Sequence, residues 1–144
     1  MVVVTGDGEL NEGSNWEACL IAAAKGVDNL IIEVDRNFFQ ANEQTENLIP
    51  IEPLEEKFFS FGCPSITLNG HDYEDMNLVF NRLPFRKGSP NVVVAETVRG
   101  NGVPSIEARA DRWFFNISDE KVEQLIAELH NEYADVLIPE AAAI

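Results

Sequence analysis

Two polar residues stand where a cation and a phosphate would be held. Asp7 follows the apolar run Val2-Val3-Val4 within Gly6-Asp7-Gly8, and Asn37 follows a second run, Leu30-Ile31-Ile32-Glu33-Val34, within Asp35-Arg36-Asn37. The glycines beside Asp7 admit positive φ and let a ligand approach the backbone closely. The Asp7 carboxylate is a hard donor, Asn37 adds a neutral amide oxygen, and the backbone carbonyl of Phe39 could add a third. One carboxylate with neutral oxygens suits Mg2+, whose other positions are filled by ligand phosphates and water. Taken singly, Gly-Asp-Gly is an ordinary turn and Asp-Arg-Asn an ordinary strand exit. Their joint position, at the ends of successive apolar runs, points to a metal-bound diphosphate.

The two ends meet if both runs are parallel strands joined by a helix, because both then emerge on the sheet edge where open α/β folds bind ligands. The pattern predicts strands at Val2–Gly6, Asn29–Val34, Ser65–Leu68 and Asn91–Glu96, and helices at Asn15–Lys25, Tyr73–Arg82 and Asp119–Tyr133. A long loop with short helical pieces, Phe38–Phe61, and a loop Thr97–Asn116 connect them. This alternation implies an α/β fold, a partial parallel sheet flanked by helices. Ser118-Asp119-Glu120 opens the last helix, and Val122, Leu125, Ile126 and Leu129 form its expected buried stripe. Residues 1–137 read as one domain and 138–144 as a flexible tail. The first strand looks central, and a ligand-bearing strand seldom comes first in such a sheet. Further strands are therefore expected from another chain or from a segment outside this sequence.

The 144 residues suffice for one domain with a core. Ten basic against 25 acidic residues give a formal charge of -15, which disfavours nucleic acid and anionic membrane as partners. No apolar stretch reaches the roughly 20 residues of a membrane span. The first residues lack the basic region of a signal peptide. Cys19 and Cys63 make no disulfide framework, Cys19 reads as a small core residue, and a reducing cytoplasm is the expected compartment. His71 reads as structural or capping, His130 as a surface residue, and Arg99 as a partner for nearby acids. No Cys/His cluster suggests zinc.

Longer stretches carry a resemblance. Val4 to Ala18, which reads Val-Thr-Gly-Asp-Gly-Glu-Leu-Asn-Glu-Gly-Ser-Asn-Trp-Glu-Ala, resembles the thiamine diphosphate signature of transketolases, and Asp28 to Ile32 and Asp35-Arg36-Asn37 continue it in register. Glu46 to Pro53, Phe61-Gly62, Asn69-Gly70-His71-Asp72 and Thr97 to Val103 match further along. The resemblance covers nearly the whole chain and corresponds to the later part of the diphosphate-binding domain. It implies thiamine diphosphate and Mg2+ as cofactors, with Asp7 and Asn37 binding the metal through side chains and Phe39 through its carbonyl. Gly6, Gly8 and Glu9 would lie in the cofactor-binding turn, Gly8 against the diphosphate, and Asp35 near the aminopyrimidine. Glu12 and Glu17 match acids at the family's subunit interface. From the residues alone, Glu12 reads equally as a first-turn acid and Glu17 as a surface acid.

The family also has an earlier stretch of this domain and a separate pyrimidine-binding domain whose glutamate activates the aminopyrimidine. Neither has a counterpart in this sequence. Trp113 is followed by Phe114, where the family carries an active-site histidine. The expected function is two-carbon ketol transfer between sugars or sugar phosphates, in a homo- or hetero-oligomer whose pyrimidine-binding domain lies on another chain. The alternatives are a non-catalytic remnant that binds a partner and a ketol synthase using the same cofactor.

Overall fold

The computed structural model describes residues 1–110 and 117–134, which fall into two compact units divided after Thr97. The first unit, Met1–Thr97, carries a parallel sheet of β1 (Val2–Gly6), β2 (Ile31–Arg36), β5 (Ser65–Asn69) and β6 (Asn91–Glu96) in the order β1-β2-β6-β5. Registers align Gly6 with Asp35, Asp35 with Ala95, and Ala95 with Leu68, so all four C-terminal ends share one edge.

Alternation along β6 explains the layering. Val92 and Val94 join Val34 and Leu10 on one face, against Trp16, Cys19 and Ala23 of α1 (Gly13–Ala24) and Leu54 and Phe58 of α3 (Leu54–Ser60). Val93 and Ala95 join Leu68 on the other, against Met76, Val79 and Phe80 of α4 (Tyr73–Phe80). A central parallel strand covered on both faces is apolar throughout, as Val92 to Ala95 are. Among the described residues the first strand, expected to look central, stands at the edge of this sheet with β2 alone beside it, and Val2, Val3 and Val4 are exposed.

Several boundaries differ from the sequence expectation, among them the end of α4 at Phe80 rather than Arg82 and of β5 at Asn69 rather than Leu68. β2 runs from Ile31 to Arg36 rather than Asn29 to Val34, because the ladder to β1 and β6 continues through Asp35 and Arg36. Backbone bonds from Leu30 N–H to the Val27 carbonyl and from Asp28 N–H to the Gly26 carbonyl make the preceding residues a turn. α1 starts at Gly13, and the segment after β2 holds a short hairpin, β3 (Phe39–Gln40) with β4 (Glu43–Gln44), before α2 (Thr45–Leu48). Cys19 and Cys63 are both buried and free, and the Cys63 thiol donates to the Cys19 carbonyl at 3.8 Å.

In the second unit, Ser118 accepts the Lys121 N–H at the start of α5 (Asp119–Glu132), and Glu128 accepts the Ser105 N–H at 2.9 Å. The stripe expected to be buried is not. Val122, Ile126 and Leu129 are exposed and Leu125 is half-buried. No helix among the described residues is long and apolar enough to cross a membrane.

Candidate metal and diphosphate site

The site is built where β1 and β2 end. After Gly6 the chain turns into a short 3-10 helix, Asp7–Asn11. The turn is held from four sides. Glu9 Oε2 accepts the Gly6 N–H at 2.7 Å, the Glu12 N–H donates to the Glu9 carbonyl, Asn15 Nδ2 donates to the same carbonyl, and Trp16 Nε1 donates to the Leu10 carbonyl. Trp16 is itself fixed against Phe58 and Phe61, with ring centroids 4.9 and 5.3 Å away. A Cβ on Gly8 would lie 2.8 Å from Gln40 Cγ, so the absent side chain lets the β3–β4 hairpin close over the turn. Asn11 Nδ2 then donates to Gln40 Oε1 at 2.8 Å.

Asp7 is 0 % exposed. Its Oδ2 accepts from Arg36 Nη1 at 2.7 Å and from the Phe38 N–H at 2.8 Å. Its Oδ1 is buried and has no hydrogen-bond partner. Phe38 reaches Asp7 because its φ of 68° places it in the left-handed region, which is uncommon for a bulky residue and costs energy that the surroundings must offset. One offset is the Arg36 guanidinium, 4.2 Å from the centroid of the Phe38 ring. The guanidinium also donates through Nη2 to Glu46 at 2.9 Å and through Nε to Glu52 at 3.0 Å. One buried cation thus holds three carboxylates.

Asn37 lies beside this cluster. Its Nδ2 donates to Asp35 Oδ2 at 2.8 Å, and its Oδ1 accepts the Phe39 N–H at 3.1 Å. Asp35 Oδ1 accepts from the Thr97 hydroxyl. The Asn37 amide is therefore oriented, with a second lone pair on Oδ1 still available.

These residues fit a hard cation with bound phosphate. A buried carboxylate oxygen without a partner carries the full desolvation cost of its charge, and an oxygen-preferring ion relieves it. Thr5 and Thr45 also have unpartnered buried hydroxyl oxygens, but neither is charged. Among the described residues no group of three or more His, Cys, Asp or Glu is arranged to hold a metal ion. Asp7 and Asn37 are thus a partial set, of the kind that phosphate oxygens complete.

The other candidates separate. Gly6, Asp7, Gly8, Glu9, Asp35, Asn37 and Phe39 come together at the sheet edge. Glu12 and Glu17 are exposed, Glu12 just before α1 and Glu17 along it. His71 gives its N–H to Asn69 Oδ1, and the cap of α4 is Asp72, which accepts from the Glu74 and Asp75 N–H groups. His130 is exposed on α5. Trp113 and Phe114 lie outside the described residues. Sequence reasoning missed Arg36, Glu46, Glu52 and Gln40 as parts of the site's support. The one available signal was a basic residue inside an otherwise acidic and apolar strand end.

A family model described as the transketolase thiamine diphosphate binding domain matches residues 1–143. The chain belongs to the transketolase family. Curated relatives include one subunit of the apulose-4-phosphate transketolase of Actinobacillus succinogenes, 38% identical over 131 residues. That match covers 90% of this chain and 47% of the relative. One subunit of the 6-deoxy-6-sulfo-D-fructose transketolase of a Clostridium species is 30% identical over 131 residues, covering 91% of this chain and 48% of the relative. The chain therefore spans about half the length of these relatives. Among solved structures, the transketolase of Campylobacter jejuni superposes with a TM-score of 0.78 at 25% identity, over 89% of this chain and 20% of that one. The sheet edge bearing Asp7 and Asn37 belongs to a thiamine diphosphate-binding transketolase fold.

Proposed function

We propose that this chain supplies the diphosphate- and Mg2+-binding half of a transketolase that transfers a two-carbon ketol unit between sugars or sugar phosphates. Asp7 Oδ1 and Asn37 Oδ1 bind the metal, with the Phe39 carbonyl as a third ligand. Gly6, Gly8 and Glu9 shape the turn against the diphosphate, and Asp35 lies toward the aminopyrimidine. The observation that carries this reading is the buried, unpartnered oxygen of Asp7 beside an oriented Asn37.

Thiamine diphosphate, when bound, supplies the carbanion-stabilising ring for carbon–carbon bond cleavage. The residues of this chain bind and orient. Arg36 and the Phe38 N–H hold Asp7, and Asp35 holds Asn37 through its amide nitrogen. Neither described histidine stands in this cluster, so proton transfer falls to groups outside it, including a pyrimidine-binding partner chain with which this one assembles. Two free buried cysteines agree with a cytoplasmic setting.

The reading is tested by calorimetry of thiamine diphosphate into the chain mixed with a pyrimidine-binding partner, with and without Mg2+. Mg2+-dependent binding is expected for the native chain and is lost in Asp7→Ala and Asn37→Ala. Unchanged binding in both variants, with circular dichroism showing them folded, means that the metal is held elsewhere.

A further inference from the structure

We infer that Cys19 and Cys63 form a redox lock: a small peroxide joins them in a disulfide that ties α1 to the turn between α3 and β5 and holds the Asp7 turn closed. This lock goes beyond the proposed function and does not depend on it.

The chain has two cysteines, 44 positions apart, and the fold brings them together. Trp16, Cys19 and Ala23 recur at helical spacing on one face of α1, and that face packs in the same cluster as Cys63. A Cβ added to Gly62 would lie 3.0 Å from Ala23 Cβ, so the backbone just before Cys63 runs close against the helix. The Cys63 thiol donates to the Cys19 carbonyl at 3.8 Å, and its sulfur accepts from the Cys19 thiol. Both side chains are buried. Packing alone asks only for small apolar groups here, whereas two thiols in contact can form a bond that alanine or valine cannot. Trp16, three residues before Cys19, lies against Phe58 and Phe61 and donates to the Leu10 carbonyl in the Asp7 turn. A bond at Cys19 therefore fixes the helix that fastens that turn.

Burial selects the oxidant. Hydrogen peroxide is little larger than water and reaches a buried sulfur through small fluctuations, whereas a bulky disulfide needs the core to open. Cys63 is the first to react. Its contact with Cys19 holds the thiol below its ordinary range despite burial, and the Arg86 guanidinium, which donates to the Gly62 carbonyl at 2.7 Å, acts in the same direction. The Cys63 sulfur takes one peroxide oxygen, the O–O bond breaks, and the displaced hydroxide leaves as water with the thiol proton. The Cys19 sulfur then attacks the Cys63 sulfenic acid. The S–S bond forms, the S–O bond breaks, and the Cys19 proton leaves with hydroxide as a second water. Two thiols lose two electrons and two protons, and one peroxide becomes two waters.

The test treats the full chain with hydrogen peroxide and reads its covalent state by mass spectrometry. The native chain is expected to lose two hydrogens, to show no free thiol on denaturation and to yield a peptide joining Cys19 to Cys63. Dithiothreitol should reverse all three. Cys19→Ser should stop at one added oxygen, captured by a 1,3-diketone, and Cys63→Ser should react at least about tenfold more slowly than native. The lock itself is read by hydrogen exchange without ligand. Amides of α1 and β2 that exchange through the shared opening should slow at least about 30-fold on oxidation, the lower end of what a native crosslink does to an unfolded chain. Unchanged exchange in the crosslinked chain overturns the lock. Two or three added oxygens without a crosslink, or a disulfide between molecules, overturn the pairing. So does a native chain that stays reduced until urea unfolds it. All these native-chain readings hold even if a variant fails to fold. None of them bears on Asp7 and Asn37 as metal ligands, which the calorimetry decides separately.

Discussion

Arg36 lies where a buried charge must be matched or removed. Its contact with Asp7 is fully buried on both sides, whereas Glu46 and Glu52 keep much of their surface in water. These two kinds of pair should differ sharply in worth. Removing one member of a buried pair strands the other charge and typically costs about 3–5 kcal/mol. An exposed pair is screened and worth about 0–1 kcal/mol. Urea unfolding should therefore place Arg36→Met about 3–5 kcal/mol below the native chain, and Glu52→Gln within about 1 kcal/mol of it. Equal losses in the two variants would mean that the acids, not the Asp7 contact, hold the guanidinium. The same contrast explains what was legible in the sequence. Asp7 and Asn37 could be found because their neighbours mark strand ends, a property of adjacent residues. The partnership of Arg36 with Glu46 and Glu52 spans 10 and 16 positions of a segment without periodicity. Nothing local in the sequence encodes such a contact, because it depends on where the β3–β4 hairpin folds back.

Elements were legible where burial imposes a period. β6 was bounded correctly from the run Asn91–Glu96, since an apolar run is a local signal, and α4 starts at Tyr73 as expected, although its cap is Asp72 and not His71. The hairpin of β3 and β4 was missed because each strand has two residues, and its turn puts Ala41 rather than glycine at a φ of 51°. The apolar period of α5 was read correctly, but period alone does not say what the stripe faces. Asp72 accepts two N–H groups of the first turn of α4, so Asp72→Ala should cost about 1 kcal/mol in urea unfolding, with Asp72→Asn close to native. Phe58 is 1 % exposed and Ile126 is 49 % exposed, although both lie on amphipathic helices. Phe58→Ala should cost about 3–5 kcal/mol, while Ile126→Ser should stay within about 0.5 kcal/mol. A large loss from Ile126→Ser in dilute solution would show that a second molecule already covers the α5 stripe.

Across the unit Met1–Thr97, the two cysteines report whether the core opens as one body. Cys19 lies on α1 and Cys63 between α3 and β5, 44 positions apart, yet both belong to one buried cluster with Val34, Val92 and Val94. A hydrogen bond with Cys63, reinforced by burial, raises the Cys19 thiol well above its ordinary range. Its nucleophilic thiolate is thus nearly absent in the folded state at neutral pH. The same contact holds the Cys63 thiol below its ordinary range, but Cys63 is buried too, so labelling of either thiol by an aromatic disulfide reagent must wait for an opening that moves α1 and α3 off the sheet. If that opening is cooperative, both thiols should react with one rate constant, set by the stability of the unit rather than by either side chain. Ligand linkage supplies the decisive comparison. The opening that exposes the thiols also takes apart the turn at Asp7, because Trp16 of α1 donates to Leu10 within it. Thiamine diphosphate and Mg2+ bound to the closed form alone, at a free concentration about 100-fold above the dissociation constant, should slow both thiols by about 100-fold. A ligand-insensitive rate at Cys63 with a slowed rate at Cys19 would instead place the opening in α3 and β5, away from the turn that holds Asp7.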